Sequence, residues 1–178
     1  MKKIINYKFK KFNSYDNKEL NAANRVIKSG ELSNFLAERG NSFFGGKYVK
    51  KFENEICKYF KVKHAITVNS WTSGLICAVG SLNVSPGDEI IVTPWSMCAS
   101  AISILHWNCI PIFVDIEEDK FCLNPKKIEK KISNKTKAIL VADIFGQSSD
   151  IFEIMRIAKK YNLKVISDTA QAPGSKIN

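Results

Sequence analysis

The order of elements in this 178-residue chain predicts an α/β fold of three layers, a mostly parallel sheet held between helices. Three observations carry that prediction. From His64 onward, short apolar segments alternate with helix-length segments of 3.6-residue periodicity. The short segments are four to six residues of mostly β-branched and aliphatic type, the composition of parallel strands covered on both faces. Turn signals such as Ser85-Pro86-Gly87-Asp88 punctuate the alternation.

Taken in order, Asp16 is placed to cap a first helix carrying Leu20, Ala23, Val26 and Ile27 on one face, and Gly30 to stop it. Residues 33–46 have no period and read as a loop. A second helix follows Gly45-Gly46, with Val49, Phe52, Ile56 and Phe60 at helical spacing. Then come a strand over 65–68, a helix over 72–82, a strand over 89–93 and a helix over 98–107. The pattern continues with a strand over 110–115, a helix over 125–132, a strand over 138–142, a helix over 150–161 and a strand over 164–167. No repeat or low-complexity linker interrupts it.

Composition bounds the function. With 45% hydrophobic and 11% aromatic residues, the chain can bury one substantial core. No apolar run reaches the roughly 20 residues that a membrane span needs. The start, Met1-Lys2-Lys3-Ile4-Ile5, is basic but lacks the apolar stretch of a signal peptide, so the cytoplasm is the expected address. Five cysteines without a C-x-x-C pair argue against a disulfide framework and against a zinc site, and no metal is expected. The net charge of +10 invites a nucleic-acid reading, but only three of the cationic residues are arginine. The lysines crowd residues 2–11 and 126–137, the second group on the wet face of a helix and its loop. A solvated surface is the reading, with no nucleic acid as partner.

Two constellations carry chemistry. Three strands end in aspartate, Asp115, Asp143 and Asp168. Right-handed crossovers leave parallel strands with their C-termini on one edge, so the three carboxylates belong to one rim. Any of them could simply cap the turn that follows it. Asp168 is the strongest candidate, because it ends an apolar strand and Gln171 follows closely; a carboxylate there is suited to keep a heterocyclic nitrogen protonated. The second constellation is Asn69-Ser70-Trp71-Thr72-Ser73-Gly74, between a strand and its helix. Backbone N–H groups at a helix start, with hydroxyls beside them, suit a phosphate; an ordinary N-cap is the plainer alternative. Neither the Walker spacing nor G-x-G-x-x-G occurs.

Taken together, several motifs give the chain a family resemblance. They are Ser29-Gly30, Asn69-Ser70-Trp71-Thr72-Ser73-Gly74-Leu75, Pro86-Gly87-Asp88-Glu89, Thr93-Pro94-Trp95-Ser96, Ile112-Phe113-Val114-Asp115-Ile116, Gly146-Gln147 and Asp168-Thr169-Ala170-Gln171-Ala172. From about residue 16 onward the chain resembles the N-terminal part of a DegT/DnrJ/EryC1/StrS aminotransferase. The resemblance implies the large domain of the type I, aspartate aminotransferase-like, pyridoxal-phosphate-dependent transferases, here truncated. Residues 1–46 would form an N-terminal helix and loop arm and residues 47–178 part of the cofactor-binding large domain, without the C-terminal small domain. It further implies pyridoxal 5'-phosphate as cofactor, a nucleotide-linked keto-sugar as substrate, an amino donor such as glutamate, and a homodimer.

The resemblance also assigns roles. Asp168 matches the acid that pairs with the pyridinium nitrogen, and Gln171 the glutamine beside the ring's phenolic oxygen. Thr72 and Ser73 fall where the family binds the cofactor phosphate. Met97 stands where an aromatic ring usually covers the cofactor, and a thioether covers a ring face less rigidly. Trp71 stands where glycine is common, a second departure; core packing is the alternative for both.

The family's Schiff-base lysine lies beyond the segment present, and Lys176 is not at its motif. On that resemblance the 178-residue chain is expected to be an inactive N-terminal fragment of a sugar aminotransferase. Members that carry histidine in place of that lysine dehydrate the sugar instead of aminating it, which leaves a dehydratase as an alternative. A non-catalytic remnant is another.

Overall fold

The computed structural model describes residues 13–177. The basic run at residues 2–11 lies outside the described residues. The chain divides into two compact units, with the boundary between Thr67 and Val68.

The first unit holds α1 (Asn17–Ser29) and α2 (Lys47–Phe60). Both helices follow from their caps. Asp16 accepts the N–H of Lys18 at 2.7 Å while Glu19 accepts the N–H of Asp16 at 2.8 Å, a reciprocal capping box. Gly30, at φ 72°, ends α1 in the left-handed conformation that glycine adopts without strain. The segment between α1 and α2 is irregular, as its sequence predicts. After α2, Oε1 of Glu53 accepts both the N–H and the hydroxyl of Thr67, at 2.8 and 2.9 Å.

The strand expected over 65–68 is not formed. Its residues are apolar and β-branched, but a strand is stable only once a neighbour completes its ladder. None of the described strands pairs with it, and Ile66 is 84% exposed.

The second unit is the sheet and its helices. In chain order they are α3 (Trp71–Gly80), β1 (Glu89–Val92), α4 (Cys98–Leu105), β2 (Ile110–Phe113), α5 (Pro125–Ile128), β3 (Thr136–Ala142), α6 (Ile151–Lys160) and β4 (Lys164–Asp168). The strands run in the order β2-β1-β3-β4, and every pairing is parallel. β3 is the longest strand and all of it but Lys137 is buried, because it is flanked on both sides and covered on both faces.

Alternate residues of the strands feed two cores. Ile91, Ile139 and Val141 pack with Ile128 of α5 and Ile154 and Ile157 of α6 on one face. Ile90, Val92, Ala138 and Leu140 pack with Val79 of α3 and Ile104 of α4 on the other. Each fully buried Ile, Leu or Val contributes about 1.5–3 kcal/mol of transfer free energy, so the two cores supply the main drive to fold this unit.

The helix expected over 125–132 is shorter. Asn124 caps it and Pro125 starts it well, but after one turn it tightens into a 3-10 turn over Glu129–Lys131. Its lysines are exposed while Pro125 and Ile128 are buried, in keeping with a solvated lysine face.

Candidate active site

The chain leaves β1 to form β2 on one side of it, then returns to form β3 on the other. The strand order therefore reverses between β1 and β3. In open parallel sheets the crevice outside the C-terminal ends of such strands is where ligands bind. A cavity of about 160 Å³ lies there. It is lined by Ser96 and Met97 after β1, by Asp143 and Ile144 after β3, by Asp168 and Gln171 at and after β4, and by Trp71 and Thr72 at the start of α3.

Asp168 forms the floor. The residue is 6% exposed, and its carboxylate is held by three donors. Oδ1 accepts the indole N–H of Trp71 at 2.7 Å and the backbone N–H of Ala170 at 3.3 Å. Oδ2 accepts the hydroxyl of Ser100 at 2.8 Å. No cation lies within ion-pair distance of it among the described residues. A buried carboxylate held only by neutral donors is primed for a cationic partner.

The N-terminus of α3 also lines the cavity. Ser70 caps it: its hydroxyl accepts the Ser73 N–H at 3.2 Å and lies 3.0 Å from the Ser73 hydroxyl. The N–H groups of Trp71 and Thr72 cannot be reached by any carbonyl of their own helix, and with the helix dipole they favour an anion. Met97 caps α4 with its backbone only and exposes most of its side chain beside the cavity. The carbonyl of the Gln171 side chain accepts the N–H of Phe145 at 3.2 Å, which fixes Gln171 at the rim.

Of the residues singled out in the sequence, Thr72, Met97, Asp168 and Gln171 line one cavity, together with Trp71. Ser73 does not line it; its hydroxyl turns to Ser70. The rim aspartates divide. Asp143 lines the cavity, with Oδ1 on the Ser149 N–H at 2.9 Å. Asp115 stands apart, 2.7 Å from the ammonium of Lys127, whose hydrogen bond, with the Ile116 N–H, holds that exposed carboxyl below the usual range.

The donor set fits a phosphorylated pyridine. A carboxylate sits where a ring nitrogen can meet it, hydroxyls and unsatisfied N–H groups where a phosphate can, and a thioether where a ring face can lie. Among the described residues no cluster of histidine, cysteine and carboxylate suits a metal, and no helix is long and apolar enough to cross a membrane.

The sequence profile of the DegT/DnrJ/EryC1/StrS aminotransferase family matches residues 19–178. The chain belongs to this family. Its members are pyridoxal-phosphate-dependent, and the fold agrees with theirs. The structure of NtdA from Bacillus subtilis with bound cofactor PMP superposes with a TM-score of 0.80 at 32% identity, over 89% of this chain and 35% of that one. The pleiotropic regulatory protein of Geobacillus stearothermophilus is 39% identical over 140 residues, 79% of this chain and 38% of its own. GDP-perosamine synthase of Vibrio cholerae is 33% identical over 165 residues, 93% of this chain and 42% of its own. The chain thus spans about two fifths of the length of the relatives it matches.

Ser100 escapes a reading of this DegT-family sequence by motif, and Ser96 falls in a motif that gives it no role. One signal was available: Ser100 and Ser103 are the only hydroxyls in an otherwise apolar α4, and a buried hydroxyl needs a partner. The bond from Trp71 to Asp168 spans 97 positions, and nothing local announces it.

Proposed function

We propose that this chain carries the cofactor-binding part of a pyridoxal-phosphate-dependent aminotransferase that acts on a nucleotide-linked keto-sugar. The observation that carries the reading is the buried carboxylate of Asp168 at the C-terminal tip of β4, lining one cavity with a helix N-terminus. In support of the substrate class, one relative is a GDP-perosamine synthase.

In this reading the cofactor supplies a pyridinium ring that draws electrons from the carbon losing its proton. The residues do the rest. Asp168 accepts the ring N–H and keeps the nitrogen protonated by presenting a fixed negative charge. The N–H groups of Trp71 and Thr72 and the Thr72 hydroxyl receive the phosphate, with Ser73 securing the turn through Ser70. Met97 covers one ring face. Gln171, anchored by Phe145, presents its amide N–H to the ring's phenolic oxygen. Residues 47–178 then form the first part of the large domain and residues 1–46 an arm, in a cytoplasmic homodimer that takes its amino group from a donor such as glutamate.

Titration of the purified 178-residue chain with pyridoxamine 5'-phosphate (PMP) tests the reading. Saturable one-to-one binding is expected, with pyridoxamine lacking the phosphate binding at least about tenfold more weakly. Equal affinity for the two, or no saturable binding, contradicts the phosphate site at α3.

A further inference from the structure

The family's known roles leave Trp71 and Ser100 without one, and the hydrogen bonds around Asp168 supply it. A carboxylate has two oxygens with two acceptor positions each. Trp71 and Ala170 fill both positions of Oδ1, and Ser100 fills one of Oδ2. One position remains, on Oδ2.

The serine contact is itself directed. A carboxylate only accepts, so the single hydroxyl hydrogen of Ser100 goes to Asp168 at 2.8 Å. The hydroxyl of Ser96, 3.0 Å from that of Ser100, must then be the donor between the two. The result is a chain of hydroxyls, Ser96 to Ser100 to Asp168, each polarising the next. Ser103 braces it, since its hydroxyl donates to the Ser100 carbonyl at 2.8 Å. Ser100 and Ser103 are fully buried, so water does not substitute for these contacts.

We propose that Trp71 and the Ser96–Ser100 pair are positioning residues that clamp the Asp168 carboxylate from both sides and offer one acceptor position to the nitrogen of a heterocyclic cation. The indole N–H is suited to this, because it donates and never accepts and so cannot compete with the ligand as a partner for the hydroxyls. Glycine, common at position 71 in the resembling family, has no such donor. The proposal rests on the reading of the cavity as the cofactor site.

The test uses the 178-residue chain with PMP and with its analogue in which CH replaces the ring nitrogen. Trp71→Phe keeps the ring and removes the donor, Ser100→Ala removes the hydroxyl, and Ser100→Thr returns it. The Phe and Ala variants are expected to bind PMP about tenfold more weakly, with no change for the analogue, and Ser100→Thr to recover most of the affinity. The indole N–H resonance of Trp71 is followed in parallel and is expected to shift in Asp168→Asn without any ligand. A wild-type chain that does not take PMP overturns the site reading. Unchanged affinity in variants of a chain that does take it, or an equal loss for PMP and analogue, overturns the clamp alone. An indole resonance that ignores Asp168→Asn overturns the clamp whether or not PMP binds.

Discussion

The hydroxyl of Ser167 donates to Oδ2 of Asp143 at 3.2 Å, tying the end of β3 to β4 one residue before Asp168. Oδ1 of the same carboxylate accepts the Ser149 N–H at 2.9 Å, and Ser149 is buried. Asp143 is thus a brace for the loop that leads into α6. Asp143→Ala strands the buried N–H and is expected to lower stability by about 2 kcal/mol, the scale of an unsatisfied buried donor. Asp143→Asn keeps an oxygen for Ser149 and is expected to lose less than half as much. Urea denaturation of the two variants checks this, and equal losses would contradict it.

A steric prediction concerns Gly80. A methyl group there would run into the six-membered ring of Trp107, whose indole N–H is anchored on the Ile76 carbonyl at 2.8 Å. Gly80 is the last residue of α3, where only part of the roughly 1 kcal/mol that alanine gains over glycine in a helix interior is available. Here overpacking opposes it, and Gly80→Ala is expected to destabilise by about 1–2 kcal/mol net. A raised melting temperature would show that Trp107 moves aside freely.

The cysteines should separate by reactivity. Cys77 and Cys98 are exposed, whereas Cys109 and Cys122 are buried. Burial, and secondarily the charge of Asp88, pushes the Cys109 thiol up, so less of it is the reactive thiolate at neutral pH. Its single S–H can donate to the carbonyl of Ser85 or to that of Trp107, at 3.6 and 3.7 Å. Cys77 and Cys98 are expected to react rapidly with a disulfide reagent in the native chain, the half-buried Cys57 more slowly, and Cys109 and Cys122 only on unfolding. Mass mapping that found Cys109 among the fast pair would contradict the core around β1.

A fourth prediction tests the first helix. Removing the Asp16 side chain leaves the Lys18 N–H without its acceptor and the capping box half made. Asp16→Ala is expected to cost about 1 kcal/mol, visible as a loss of helical ellipticity on mild heating. No change would mean that α1 is held by something other than its cap.

Most of the second unit was legible in the sequence because local and global signals agree there. The strands at 89–92, 110–113, 136–142 and 164–168 are apolar runs bounded by turns; the central pair, β1 and β3, is buried as its composition predicts, while the edge strands β2 and β4 stay partly exposed. The segment 65–68 carries the same composition without the outcome, since a ladder partner is a property of the fold and not of the segment. Asp168 was legible as an acid ending an apolar strand, and Thr72 as a hydroxyl at a helix start. Trp71 and Ser100 were not legible as its partners, because their bonds join residues 97 and 68 positions apart. Asp115 belonged by sequence to the same rim as Asp143 and Asp168, but it is exposed and paired with Lys127 instead of lining the cavity.

Asp168 as the anchor for the nitrogen of the cofactor ring is tested most directly by calorimetric titration of PMP into the wild-type chain and Asp168→Asn. The substitution keeps the shape and one of the two acceptor oxygens but replaces the other by an amide NH2 and removes the charge, and a charge-assisted hydrogen bond is worth about 1.5–3 kcal/mol, or roughly ten- to hundredfold in affinity. One PMP per wild-type chain is expected, with a loss of that size in the variant. Equal dissociation constants for the two chains would contradict it.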